Sequence, residues 1–226
     1  VAVIEAIPEM LRRAFSQLRM GKPGPVMLEV PSDILREEIP VGMNISYSVV
    51  PIRKSSGNPE DIKVAAKILL GAERPIIQAG QGVLYAEAAG KLLQLAELTG
   101  VPVMTTMAGK SSFPETHRLS LGTRSSTTTD MVVHFLGKSD LVFGLGCSFT
   151  RIHYGMNEFD DKTLVQVTNS ESDINKDYIV DHSVLGDVDL VLDQLLCEIK
   201  SLIGADKTTS PFDFYDEIET VRESWF

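Results

Sequence analysis

Ile4, Ile7, Leu11, Phe15 and Leu18 recur at three- and four-residue spacing, which lays them along one stripe of a helix. Pro8 fits the early turn of that helix, where its missing N–H costs little. Gly21-Lys22-Pro23-Gly24-Pro25 stops it, and Val26-Met27-Leu28-Glu29-Val30 then predicts a buried strand closed by Pro31. A helix and a strand cannot make a domain by themselves, so residues 1–40 are expected to have been shaped for a neighbour. Residues 41–58 carry Gly42, Asn44, Pro51 and Ser55-Ser56-Gly57-Asn58 and predict a linker.

Beyond the linker the pattern becomes regular. Asn58 can cap a helix with Pro59 at its first position, running through Ile62, Ala65, Ala66 and Leu69 to Gly71. Short apolar runs predict strands at 75–79, 101–105, 141–145, 164–167 and 183–185. Helical periodicity predicts helices at 86–98, 130–136 and 188–203. Short strands alternating with helices call for a parallel sheet covered on both faces. The expected fold class is α/β, a doubly wound parallel sheet with helices on both faces, over residues 59–205. Residues 206–226 hold Asp206, Asp213, Asp216, Glu217, Glu219 and Glu223 against Lys207 and Arg222, and predict an acidic linker.

Charge and composition narrow the partners. Lys+Arg 21 against Asp+Glu 31 gives −10, which repels a phosphate backbone at long range and argues against nucleic acid. No apolar run approaches the roughly 20 residues that cross a bilayer, so no membrane partner is expected. Cys147 and Cys197 are too few and too far apart for a disulfide framework, which suits a reduced, cytoplasmic location.

In doubly wound sheets ligands sit beyond the carboxyl ends of the strands, and glycines fall there. Gly80-Gln81-Gly82 follows the first sheet strand, but Tyr85 stands where a dinucleotide fingerprint needs a third glycine. It reads as a phosphate cradle or as a tight strand-to-helix turn, and both stay open. Gly146-Cys147-Ser148-Phe149-Thr150 lacks the second glycine of a nucleophile elbow. Cys147 is expected to be a small buried residue and Cys197 to pack within its helix. His117, His134, His153 and His182 form no metal-ligand pair, with His134 expected as an interior or edge histidine. Asp160-Asp161 and Glu37-Glu38 read as solvated charge, so no catalytic constellation emerges.

Taken together, the segments resemble thiamine-diphosphate-dependent enzymes of the acetolactate synthase and benzoylformate decarboxylase type. The resemblance rests first on residues 7–15 followed by Gly21-Lys22-Pro23-Gly24-Pro25-Val26 and Val30-Pro31-Ser32-Asp33. It continues through Arg74-Pro75-Ile76-Ile77-Gln78-Ala79-Gly80-Gln81-Gly82, Gly100-Val101-Pro102-Val103-Met104-Thr105-Thr106 with Gly109, and Ser139-Asp140-Leu141-Val142-Phe143-Gly144-Leu145-Gly146. It implies that residues 1–40 end a pyrimidine-binding domain and that 59–205 form the family's Rossmann-like central domain. It also implies a longer parent enzyme, a lyase or transferase acting on 2-oxo acids with thiamine diphosphate and Mg2+. The activating glutamate and the metal–diphosphate segment would lie in N- and C-terminal domains of the same polypeptide outside this chain. This chain alone is then expected to be inactive and not to hold thiamine diphosphate, and the assembly to be a homo-oligomer.

Some relatives bind FAD in the central domain, others ADP and others nothing. By resemblance, nucleotide contacts would come from Gly80, Gln81, Gly82, Thr106, Gly109, Gly122, Arg124, Gly186 and Asp187. Ser148, Thr150, Thr168, Ser170 and Ser125 depart from the FAD-binding pattern. FAD is therefore not expected, while an ADP-like nucleotide stays open. The rival reading is a free-standing NAD-, FAD- or ADP-binding module without thiamine chemistry.

Overall fold

The computed structural model describes all residues except 47, 50, 127, 152–158, 205–209 and 225–226. His153, Asp206 and Lys207 lie outside the described residues. The chain divides into two compact units, Val1–Lys54 and Ser55–Phe226.

In the first unit a 3-10 turn at Ile4–Ala6 leads into helix α1 (Ile7–Arg19), with Pro8 in its first turn. No residue of α1 is buried, and Leu11, Phe15 and Leu18 on its apolar stripe are each more than a third exposed. Residues 26–30, expected as a strand, belong to no strand. A strand is defined by its partner's hydrogen bonds, and none of the described sheet pairs involves this segment.

The second unit follows the alternation of the sequence. Helix α2 (Pro59–Gly71) starts where Asn58 accepts the Glu60 N–H at 2.9 Å. Then come β1 (Pro75–Ala79), α3 (Gln81–Tyr85), α4 (Ala89–Thr99), β2 (Val103–Thr106) and β3 (Ser120–Arg124). Next are α5 (Asp130–Lys138), β4 (Leu141–Leu145), β5 (Thr163–Thr168), β6 (His182–Leu185), α6 (Val188–Ile203) and α7 (Tyr215–Glu223). The strands form one sheet in the order β3-β2-β1-β4-β5-β6, and every pair is parallel. Every residue of β1 and of β4 is buried. Successive side chains point to opposite faces, so both faces are covered, as the unbroken apolar runs predict. No described helix is long and apolar enough to cross a membrane.

Several boundaries differ from the sequence reading. The helix expected at 86–98 is α4, which starts only at Ala89 because Glu87 turns left-handed (φ 59°), and the short helix α3 before that turn was not expected. The strand expected at 101–105 begins at Val103, since Pro102 has no N–H to place in a ladder and gives only its carbonyl to Ile77. Strand β3 was not expected. It lies at the sheet edge with Leu121 as its one large apolar side chain, too weak a pattern to read.

Both ends of the unit are fastened to it. Gly57, read as linker, is buried, and its peptide is clamped by the Gln194 side chain. The Gly57 N–H donates to Gln194 Oε1 at 2.9 Å and Gln194 Nε2 donates to the Gly57 carbonyl at 3.1 Å. At the other end, the stretch expected as an acidic linker contains helix α7. Phe214 and Ile218 are buried in the same apolar core as the sheet. Charge counting misses this because Phe214 and Ile218 face inward while Asp213, Asp216, Glu219 and Glu223 around them are exposed.

Candidate carboxyl-edge site

The order of the strands reverses between β1 and β4, and the loops leaving those two strands meet there. The Gly80 N–H donates to the Leu145 carbonyl at 2.8 Å and the Gly82 N–H to the Gly146 carbonyl at 2.9 Å. A Cβ on Gly82 would stand 2.7 Å from Gly146 Cα, and one on Gly80 would stand 2.6 Å from Cys147 Cβ. A Cβ on Gly109 would run into the Ala79 carbonyl oxygen and stand 2.8 Å from the Gly80 carbonyl carbon. These glycines are small because three loops pack backbone on backbone. Of the two sequence readings, the tight turn describes what their atoms do here. The N–H groups of Gly80 and Gly82 are both engaged by carbonyls.

Next to this contact lies a buried row across the sheet. Gln78 of β1, Gly144 of β4 and Gln166 of β5 are register neighbours. Phe149 takes a left-handed backbone (φ 44°) and turns its ring over Gly144, where a Cβ would lie 2.5 Å from Cζ. Phe149, Phe159 and Tyr178 stack edge to face at 5.5 and 5.0 Å, and the buried Arg124 guanidinium lies 4.5 Å from the Phe159 ring centre. Both amides reach Cys147. Gln78 Nε2 is 3.5 Å from its Sγ, and Gln166 Nε2 donates to its carbonyl at 2.9 Å and to that of Asp173 at 3.1 Å.

Burial pushes the Cys147 thiol up to about 11, against smaller opposing effects of the Gln78 and Phe149 hydrogen bonds and the Arg124 charge. It is a packing residue, as expected, and not a nucleophile. Cys197, expected to pack, is exposed. It lies in α6 but turns away from the buried stripe of Leu192, Leu195, Leu196 and Ile199.

The remaining residues implied by the resemblance fall into two groups. Thr106, at the end of β2, accepts the Gly109 N–H on Oγ1 at 3.0 Å. Gly122 (φ 92°) and Arg124 are on neighbouring β3, and Gly122 is open, with only Thr129 Oγ1 near its Cβ position at 3.8 Å. Gln81 is exposed at the start of α3, just past β1, which β2 separates from β3. Gly186 and Asp187 follow β6, three strands from β1, which is about 14 Å at the usual strand spacing. There Gly186 packs on the Ser56–Gly57 backbone, and the Asp187 carboxylate caps α6 by accepting the Asp189 N–H at 3.1 Å. The hydroxyls at positions that depart from the FAD-binding pattern bond to neighbouring hydroxyls or to nearby backbone. Ser148 pairs with Thr150 at 2.8 Å, Ser170 with Ser172 at 2.9 Å, and Thr168 Oγ1 accepts the Ser170 N–H at 3.2 Å.

The described histidines have separate structural partners. His134 Nε2 is 2.8 Å from Glu217, His182 Nε2 is 2.8 Å from the Asp61 carbonyl, and His117 Nδ1 accepts the Leu119 N–H at 3.2 Å. No group of three metal-ligating side chains occurs among the described residues. Glu37, Glu38, Asp160 and Asp161 are exposed, as solvated charge should be.

The family model described as "Thiamine pyrophosphate enzyme, central domain" matches residues 62–195. This chain belongs to the thiamine pyrophosphate enzyme family. It is 34% identical over 206 residues to the "Probable acetolactate synthase large subunit" of Methanococcus aeolicus, covering 88% of this chain and 34% of that protein. It is 35% identical over 204 residues to the glyoxylate carboligase of Escherichia coli O157:H7, again covering 88% of this chain and 34% of the relative. The benzoylformate decarboxylase structure from Polynucleobacter necessarius shares the fold, with a TM-score of 0.72 at 23% identity over 88% of this chain and 37% of that one. The chain thus spans about a third of the length of the curated relatives it matches.

Proposed function

We propose that these residues form the central part of a thiamine-diphosphate- and Mg2+-dependent enzyme that acts on a 2-oxo acid by decarboxylation or carboligation. The observation that carries the reading is the central-domain match over residues 62–195. The names of the related carboligase and acetolactate synthases support the substrate class. A free-standing nucleotide-binding module is not favoured by that match.

The carboxyl-edge residues do not fit a magnesium diphosphate. The Gly80 and Gly82 N–H groups are engaged by carbonyls, and the hydroxyls of Ser148, Thr150, Ser170 and Ser172 pair among themselves. Thiamine diphosphate, which supplies a carbanion-stabilising ylid when bound, is therefore assigned to other parts of the whole protein. The role of this part is to present a rigid α/β scaffold to them, in a soluble, cytoplasmic homo-oligomer. If the domain also carries an ADP-like nucleotide, Gln81, Thr106, Gly122 and Arg124 form the neighbouring set that would hold it. Gly186 and Asp187 are too far along the sheet edge to join a mononucleotide there.

The test is turnover of several 2-oxo acids by the full-length protein with and without thiamine diphosphate and Mg2+. Cofactor-dependent carbon dioxide release or ligation is expected, and equal rates in its absence overturn the reading. Calorimetry of the 226-residue chain should show no specific heat with thiamine diphosphate, and a micromolar Kd would place a cofactor site inside these residues.

A further inference from the structure

Residues 210–223 pack along the second unit beside the ends of α4 and α5 and the starts of β1 and β3. Ser210 Oγ donates to the Glu97 carbonyl at 3.0 Å and the Phe212 N–H to the Thr99 carbonyl at 3.0 Å. Phe214 meets Phe135 of α5 edge-on at 6.3 Å, and Ile218 is fully buried. Arg118 lies 4.2 Å from the Tyr215 ring centre and 3.7 Å from Glu219, and Arg222 donates to the Ser120 carbonyl on β3 at 3.3 Å. At the middle of the segment Glu217 meets three cationic or titratable side chains from two other elements. Arg74, just before β1, donates from Nη2 to both carboxylate oxygens at 2.9 and 2.8 Å. From α5, His134 Nε2 is at 2.8 Å and Lys138 Nζ at 3.3 Å.

We propose that residues 210–223 are a strap that opens as a unit, with the Glu217 carboxylate as its latch, and that loss of that charge frees the strap while the six-stranded sheet stays folded. A nine-residue helix such as α7 is not stable alone in water, so its order depends on docking. The sheet's own ladders do not include it, and such edge elements open below the free energy of global unfolding. The Arg74 guanidinium lies over Phe214 at 5.2 Å, its buried Nε has no hydrogen-bond partner, and its Nη2 is held by the Glu217 carboxylate. Removing the carboxylate charge therefore leaves Arg74, His134 and Lys138 facing one another. Opening would uncover Phe135 and the Ser120 carbonyl of edge strand β3, a surface of the kind that pairs with another chain. The inference does not depend on the cofactor reading.

Hydrogen exchange of the whole chain, read by peptide, tests it. In Glu217→Gln at neutral pH, peptides spanning 212–223 should exchange at least tenfold faster, while those of β1 and β4 change less than twofold. The unsubstituted chain should show the same selective loss as pH falls from about 4.5 towards 2. Unchanged exchange at 212–223, acceleration of β1 and β4 together with it, or a Glu217→Gln chain that does not fold would each overturn the proposal.

Discussion

Gly82 touches Gly146 where any other residue would place a methyl group 2.7 Å from backbone. Because the obstacle is main chain, it cannot swing aside as a side chain could. Gly82→Ala should therefore cost about 1–3 kcal/mol, seen as a lower Tm, whereas Gly90→Ala, with open space around it, should be neutral or slightly stabilising. Equal melting of the two variants would show that the loops can part without cost. Cys147 and Cys197 offer a second contrast. A thiol raised to about 11 by burial is neither exposed nor ionised at neutral pH. A thiol reagent should modify Cys197 alone in the native chain and both after denaturation, and rapid native labelling of Cys147 would refute the packing. The glycines and Cys147 were visible in the sequence as turn and strand-end residues, but which backbone each one meets was not.

The elements differ in how clearly they announce themselves. β1 and β4 are continuous apolar runs because both their faces are buried. β3 is an edge strand with one large apolar side chain, and α7 is hidden among acids. The acid that hides α7 is also one of its anchors. Burial by itself would raise the Glu217 pKa, but hydrogen bonds from Arg74, His134 and Lys138 and the Arg74 charge outweigh it and bring it to about 2. A carboxylate depressed below its ordinary value stabilises the fold above its unfolded pKa, near 4.5, and that contribution is lost as pH falls through about 2. The expected contribution at neutral pH, discounted for partial exposure, is about 1–3 kcal/mol. Urea melts between pH 7 and 2 should show an acid limb that is shallower in Glu217→Gln, and identical limbs would remove Glu217 from the account. The Gln194 clamp on Gly57 can be weighed the same way. Gln194→Ala leaves a peptide of a part-buried segment unpaired and should cost about 1–3 kcal/mol by denaturant melting.

For the whole molecule, the apolar core of the second unit begins at Ile62 and contains no residue of the first. Removing Val1–Lys54 should leave the melting temperature of the remaining chain within a few degrees of its original value. A collapse on that truncation would show that the first unit completes the core. Leu11, Phe15 and Leu18 on the apolar stripe of α1 are each more than a third exposed.

The sequence by itself determined the α/β alternation, the helix caps at Asn58 and Gly100, and the family. Each of these rests on local chemistry: period, capping hydrogen bonds, and a left-handed turn at Gly100 (φ 77°) that a glycine adopts without strain. Only the tertiary structure decided that Gly80 and Gly82 give their N–H groups to the loop after β4, that Phe149 lies over Gly144, and that Glu217 joins Arg74 and α5 across the sheet edge. Apart from Phe149 and Gly144, which are five residues apart and are brought together by the left-handed turn at Phe149, those contacts join residues 64 to 143 positions apart, and the spacing of residues along a chain carries no record of which distant backbone will fill the space beside them.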